Sequence, residues 1–266
     1  MLTYPNINPV AFHIGSWPVY WYGMMYLVGF LAGWGLLRLR LHFSTRGFTA
    51  EQLSDTVFFT AMGAILGGRL GYMLFYDWSD FISDPLLLLQ TWKGGMSFHG
   101  GLLGVLVALF ICAHKLKKPV LALTDLIAPA VPIGLGAGRI GNFINGELWG
   151  RVTDVPWAMI FPGADFYPRH PSQLYEFALE GLLLFTILWI YSRKLRPLGA
   201  VSGLFAICYG TFRIFVECFR EPDQQIGYIG GWLTEGQLLS LPLIMVGLGL
   251  IFWAYHHQRT IKERAT

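Results

Sequence analysis

The chain has 266 residues, of which 54% are hydrophobic, 16% aromatic and only 13% charged, and its mean hydropathy is +0.49. That leaves too little polar surface to cover a soluble globule of this size, so a polytopic membrane protein is expected. The net charge of +3 does not signal nucleic-acid binding, and the placement of the basic residues matters more than their sum.

Taken in order, the first fifteen residues carry no Lys or Arg, so a cleavable signal peptide with a basic leading region is not expected. A hydrocarbon core of about 30 Å takes about 20 helical residues. Seven apolar stretches reach that length: Trp17–Leu37, Leu53–Phe75, Gly95–His114, Pro119–Arg139, Pro171–Tyr191, Leu198–Cys218 and Gln237–His257. They predict an all-α fold of seven transmembrane helices in a single integral-membrane domain over 1–266. Asp125, Pro129 and Pro132 interrupt the fourth span, which a membrane tolerates where neighbouring groups satisfy the freed carbonyls. Between the second and third spans, residues 77–94 form an arm. Its Pro85–Trp92 run is too short to cross and apolar enough to lie at the interface, with Trp92 as anchor; a plain cover for the bundle is the alternative. Residues 146–170 form a cap, whose Asp154, Pro156, Trp157, Pro162 and Pro168 suggest a folded loop. Cys112, Cys208 and Cys218 fall in apolar stretches without a Cys-x-x-Cys pair, so they read as small buried residues, and neither a disulfide, a metal site nor a cofactor is indicated.

The short connections set the orientation. One side collects Arg38, Arg40, Arg46, Lys115, Lys117, Lys118, Arg193, Lys194, Arg196, Arg259, Lys262 and Arg264, twelve of the nineteen basic residues. The other side has four, Lys93, Arg151, Arg169 and Arg220, and three, Arg69, Arg139 and Arg213, lie within spans. Positive charge is retained on the cytoplasmic side, so the C-terminus is expected inside and the N-terminus outside.

Within the spans the polar groups share one depth. Tyr22, Arg69, His99, Arg139, Glu176, Tyr209, Arg213 and Glu217 all fall in the outer half, whereas the inner half has little beyond Asp55 and Asp125. A cavity open to the outer leaflet fits this better than a conduit. The centre of it is Gly138–Gly150, which reads Gly-Arg-Ile-Gly-Asn-Phe-Ile-Asn-Gly-Glu-Leu-Trp-Gly. A charge such as Arg139 is expensive at membrane depth, so with Asn142, Asn145 and Glu147 it marks a functional site, the alternative being a polar network that only locks helices. Tyr209, Arg213 and Glu217 recur every four residues and share a helical face. Arg213 and Glu217 form an intrahelical ion pair on one reading. On the other, Arg213 and Arg139 converge on an anion, for which the planar guanidinium is suited, and the abundant anion of the outer leaflet is a phospholipid head group. Arg69, beside Gly67, Gly68 and Gly71, ranks lower because it equally serves helix packing by pairing with a carboxylate. His99 stands in a glycine-rich stretch, and an unperturbed imidazole exchanges protons near neutral pH, which suits an acid or base, although a lone histidine is usually structural. His170 is a cap residue or a substrate contact.

These residues carry a resemblance. Gly138–Gly150 is similar to the signature of bacterial prolipoprotein diacylglyceryl transferases. So are Trp21-Tyr22-Gly23 with Met25-Tyr26-Leu27, Gly95-Met96-Ser97-Phe98-His99-Gly100-Gly101, Arg169-His170-Pro171-Ser172-Gln173-Leu174-Tyr175-Glu176, and Tyr209-Gly210 through Arg213 to Glu217. The blocks cover most of the chain in the family's order. The resemblance implies transfer of the sn-1,2-diacylglyceryl group from phosphatidylglycerol to the lipobox cysteine of a prolipoprotein signal peptide, in the bacterial inner membrane with the site facing the periplasmic leaflet. It implies that Arg139 and Arg213 hold the phosphate, and that His99 is the base for the thiol or orients the head group. Tyr22, Asn142, Asn145, Glu147, Gly150, His170, Glu176 and Tyr209 would shape the substrate site, Glu217 would position Arg213, and Arg69 is a further contact. The partners are then phosphatidylglycerol, the prolipoprotein and membrane lipids. A lipid transporter or scramblase is the rival class; it calls for inverted repeats and polar residues through the inner half. An intramembrane protease lacks a Ser–His or Asp–Asp pair at one depth, and a scaffold remains the bland alternative.

Overall fold

The computed structural model describes residues 2–42, 46–90, 94–222 and 230–265, the last seven of these by backbone alone. Trp92, Lys93 and the side chains of Arg259, Lys262 and Arg264, which enter the anchor and orientation expectations, lie outside the described residues. The chain is mostly helical. Among the described residues, six helices are long and apolar enough to cross a membrane, or seven if one bent pair counts as a single span. Two compact units are present, residues 1–36 with 127–266, and residues 37–126.

A short antiparallel hairpin, β1 (Val10–Ile14) and β2 (Trp17–Tyr20), precedes the first helix, α1 (Trp21–Arg40). Trp17–Tyr20 was expected inside the first span. It is instead a strand, because the Gly15-Ser16 turn, with Gly15 at φ +62°, reverses the chain where only glycine adopts that backbone freely. A hydropathy window does not register a four-residue strand whose residues are themselves apolar.

In the 37–126 unit, α2 (Ala50–Phe75) opens with a reciprocal capping box between Thr49 and Gln52, which places its start ahead of the expected Leu53. Next come α3 (Trp78–Ser83) and a 3₁₀ turn over Pro85–Leu89. These form the arm, and Trp78, Ile82, Leu86 and Leu89 on it are exposed. The α4 helix (Phe98–Leu116) starts from Ser97, whose hydroxyl accepts from the Gly100 amide at 3.2 Å, and a short α5 (Val120–Ile127) follows. The α2–α4 contact is made of glycine. A Cβ at Gly67 would lie 2.4 Å from the Gly100 carbonyl oxygen, one at Gly63 would lie 2.4 Å from that of Gly104, and one at Gly104 would lie 1.9 Å from that of Gly63. Lipid tails are as apolar as leucine, so two helices gain little by burying large side chains against each other and associate through close backbone approach. The large residues face away: Phe58, Phe59, Leu66, Leu70, Leu103 and Phe110 are exposed, as lipid-facing groups are.

Arg40 corrects an expectation of this unit. Counted with the loop charges, it is buried, 5% exposed, and its guanidinium donates to the Leu126 carbonyl at 3.0 Å. The apolar pattern ends three residues before the helix does.

The other unit holds most of α1, then α6 (Val131–Asn145), a continuous helical span Ser172–Tyr191 made of α7 (Ser172–Glu176), a π-helical segment Phe177–Leu183 and α8 (Leu184–Tyr191), then α9 (Ala200–Glu217) and α10 (Glu235–Ala265). Glycines again set the close contacts, Gly136 with Gly181 and Gly203 with Gly247. The break between α5 and α6 falls at Ala128–Ala130, beside Pro129 and Pro132. The cap has a core of its own, Tyr4, Phe143, Met159 and Phe161. Tyr4 donates its hydroxyl to the Phe143 carbonyl at 2.5 Å, so the N-terminal segment, the end of α6 and the cap are pinned together. The thiols do not all fit their expected burial. Cys112 is buried, Cys208 half-buried and Cys218 exposed, the last because it sits at the C-cap of α9 on a side no neighbour covers.

Replacing Gly104 by Ala is expected to destabilise the chain by about 1–3 kcal/mol, the range for overpacking a close contact. Gly35→Ala, which meets nothing within 4 Å, serves as control. Unfolding in mixed micelles checks this; equal stability of the two variants would show that the α2–α4 contact gives way.

Candidate functional site

The polar face of α9 meets the polar faces of α6 and α7 around one carboxylate. Arg139 lies past the middle of α6, with Glu176 closing α7, Glu180 in the π-helical segment and Arg213 and Glu217 on α9. Glu176 receives both arginines. Arg139 Nε lies 3.1 Å from its Oε2, and Arg213 Nη1 donates to its Oε1. Arg213 Nη2 pairs with Glu217 on the next turn, Arg220 Nη1 reaches the same Glu217 oxygen at 3.4 Å, and Arg139 Nη2 lies 3.6 Å from Glu180 Oε2. The burial is asymmetric. The carboxylate side chains are sealed, at 0% exposed for Glu176, 0% for Glu180 and 4% for Glu217, whereas Arg139, Arg213 and Arg220 keep 18%, 12% and 10% of theirs exposed. What exposure the cluster has is therefore on its arginine side chains, over sealed carboxylates. Tyr209, one turn before Arg213, stacks on Phe205 with ring centroids 5.7 Å apart and lies close to the charged groups.

The signature after Arg139 is wound into the end of α6 and the turn beyond it. Arg139 was expected at the end of a span, but the helix continues to Asn145. Gly141 does not break it, because a Cβ there would meet the Tyr22 ring at 2.9 Å; the glycine is spent on admitting α1. Glu147 Oε1 accepts from Asn142 Nδ2 at 2.8 Å and from Asn145 Nδ2 at 3.3 Å, so these three act as one polar group, with Tyr22 close by. Tyr22 also shares a hydroxyl hydrogen bond with Tyr26 at 3.1 Å. Gly146 terminates the helix at φ +67°, the left-handed end that glycine provides. Gly150 donates its amide to the His170 carbonyl at 2.8 Å and accepts from Arg169 Nη1 at 3.1 Å. A Cβ on it would stand 2.5 Å from the Phe219 carbonyl oxygen, so both of its backbone groups are engaged within the fold. Arg151 ties the loop to the end of α9 through the carbonyls of Arg220 and Glu217.

His170 Nδ1 shares a hydrogen bond with the Tyr175 hydroxyl at 3.0 Å, its ring packs edge-on against Phe219, and burial lowers its basicity. Beside it, Arg169 holds Asp165 at 2.6 Å and Glu221 at 3.1 Å. The hydrogen bonds from Arg169 keep the Asp165 carboxyl below its usual range.

Arg69 and His99 belong to the 37–126 unit. Arg69, 3% exposed, has no carboxylate partner among the described residues, unlike the helix-packing reading. It donates to the carbonyls of Leu87 at 2.7 Å, Gly95 at 3.1 Å and Gly94, clasping the arm to α2, because the arm's chain reversal leaves carbonyls that only a long multi-donor side chain reaches. His99 stands exposed in the first turn of α4, its ring edge-on to Phe98 at 5.7 Å. Among the described residues, no three His, Cys, Asp or Glu side chains are grouped to hold a metal.

The sequence reading overlooked three members of this site. Glu180 follows Glu176 by four residues and so shares its helical face, and Arg220 follows Glu217 by three and so continues the Tyr209–Arg213–Glu217 stripe. Gln173, 0% exposed, donates to the Glu147 carbonyl at 2.6 Å; nothing but its place in the Arg169–Glu176 block could have singled it out.

A family model described as prolipoprotein diacylglyceryl transferase matches residues 9–253. A protein of Coxiella burnetii named phosphatidylglycerol--prolipoprotein diacylglyceryl transferase is 59% identical over 259 residues, covering 97% of this chain and 99% of its own. A protein of the same name from Azotobacter vinelandii is 59% identical over 260 residues, 97% of this chain and 98% of its own. One from Pseudomonas aeruginosa is 57% identical over 256 residues, 96% of each.

Glu176→Ala is expected to cost about 3–5 kcal/mol of stability, the range for removing one partner from a buried ion network, because it leaves two arginines without their shared carboxylate. Unfolding in mixed micelles checks this, and a loss below about 1 kcal/mol, the scale of a surface ion pair, would mean that the bridge is not structural.

Proposed function

The chain belongs to the prolipoprotein diacylglyceryl transferase family, and from that premise we propose that it is a transferase moving the sn-1,2-diacylglyceryl group of phosphatidylglycerol onto the lipobox cysteine of a prolipoprotein. The cysteine sulfur attacks the glyceryl carbon that carries the phosphate. A C–S bond forms, the C–O bond breaks with its electron pair passing to the phosphate oxygen, and glycerol phosphate leaves. The thiol proton goes to a base. The single observation that carries the reading is that Arg139 and Arg213, each partly exposed, meet on the sealed carboxylate of Glu176. Paired, correctly held guanidiniums match a phosphodiester and stabilise the charge that develops on the leaving oxygen. The rival transporter reading loses its ground with the family assignment.

The remaining roles are part of the same proposal. Tyr22, Asn142, Asn145 and Glu147 offer donors and acceptors to the glycerol hydroxyls, Glu217 and Glu176 orient Arg213, and Tyr209, Gly150 and His170 shape the surround. Arg69 serves the site by fixing the arm. His99 is the base for the thiol, a role supported by its glycine-flanked, exposed position and by the family resemblance. The whole of 1–266 acts as one catalytic domain with its arm at about 77–94 and cap at about 146–170. Seven crossings, with the bent pair α5–α6 as one, put the N-terminus in the periplasm and the C-terminus in the cytoplasm of the bacterial inner membrane, with the site toward the periplasmic leaflet. The basic clusters support that orientation.

Purified protein incubated with phosphatidylglycerol and a lipobox peptide is expected to add one diacylglyceryl mass to the peptide, by mass spectrometry, and none to its Cys→Ser counterpart. Arg139→Lys is expected to lower kcat/KM on the order of 100-fold, as loss of a transition-state donor does; near wild-type turnover would remove the phosphate role. His99→Gln is expected to lose more activity at neutral pH than near pH 9, where the thiol, with its pKa of about 8.5, ionises unaided. A uniform loss at every pH would make His99 a positioning residue.

A further inference from the structure

Glu180 is the one carboxylate of the cluster that is weakly held. Glu176 is bridged by two guanidiniums and Glu217 by two. Among the described residues Glu180 has a single ion-pair contact, Arg139 Nη2 at 3.6 Å. Its side chain is 0% exposed, and neither of its oxygens accepts a hydrogen bond. The groups that face it are Arg139 from α6, Glu176 on its own span, Arg213 and Tyr209 from α9 and Arg220 just beyond α9. With Glu217, the cluster in direct contact balances three guanidiniums against three carboxylates.

A phosphodiester adds one negative charge to this balanced, largely sealed group. An unpaired buried charge is expensive, and the cheapest remedy is to neutralise the carboxylate that has least to lose. Resting on the proposed lipid site, we infer that Glu180 takes up a proton when the phosphatidylglycerol head group binds, releasing Arg139 Nη2 from carboxylate to phosphate. Glu180 is then a positioning residue that trades its claim on Arg139 for a proton. Glu176 and Glu217 keep their ion pairs with Arg213 and hold it aimed. The lipid's own phosphodiester does not titrate near neutrality, so the proton belongs to the protein.

Calorimetry of phosphatidylglycerol binding in buffers of different ionisation enthalpy counts the protons directly. The expected result is an uptake near one proton per lipid, with affinity falling up to tenfold per pH unit as pH rises, since binding that consumes a proton weakens when protons are scarce. Glu180→Gln should bind with no uptake and a flat pH profile, and His99→Gln should keep the uptake. The wild-type pH series stands by itself should Glu180→Gln fail to fold. Arg139-dependent binding without proton uptake, or an uptake abolished by His99→Gln and kept in Glu180→Gln, overturns this inference and leaves the proposed function intact. Binding that is unchanged in Arg139→Gln overturns the lipid site itself, and the inference with it.

Discussion

One carboxylate holds the site together. Glu176, fully sealed, receives Arg139 from α6 and Arg213 from α9, so the spacing of the two guanidiniums is set by a group that never meets solvent. An arginine in a membrane without such a partner would turn toward the nearest head groups, since its long stem lets the charge reach water. Held from behind, each guanidinium is fixed by two carboxylates, Arg139 by Glu176 and Glu180 and Arg213 by Glu176 and Glu217. Positioning of this kind lets charge stabilisation act without reorganisation at the moment of reaction.

The scaffold that makes this bridge possible is built from small residues. Gly136 lets α6 approach the span that carries Glu176 and Glu180, and Gly203 lets α9 approach α10. The π-helical segment Phe177–Leu183 begins directly after Glu176 and carries Glu180, and such widened turns frequently occur at functional positions. In the 37–126 unit the same economy operates between Gly63, Gly67, Gly100 and Gly104. There the close packing supports Arg69, whose donors secure the arm. Glycine thus serves as the contact surface of these helices, while the bulky aromatic and aliphatic residues face outward.

Much of this was legible in the sequence, for physical reasons. Long apolar runs announce spans because the bilayer demands about 20 helical residues, and Tyr209, Arg213 and Glu217 announce a shared face because a helix repeats near every four. The hairpin at Val10–Tyr20 was hidden because its residues are as apolar as the helix they precede. The helical continuation past Arg139 was hidden because a glycine-rich stretch in water reads as a loop, whereas in a membrane Gly141 is a contact for Tyr22. Arg69 was hidden because its partners are backbone carbonyls, and carbonyls leave no mark in a residue pattern. That Arg139 and Arg213 meet on Glu176 required three helices to be assembled, which no local spacing expresses.

The account's central claim is that the two bridged arginines receive the lipid phosphate. A cryo-electron microscopy structure with phosphatidylglycerol bound tests it most directly. The predicted result is a phosphate within hydrogen-bond distance of the Arg139 and Arg213 guanidiniums, with Glu176 still bridging them from behind. A head group seated away from both arginines, with the ion cluster unchanged, would contradict it.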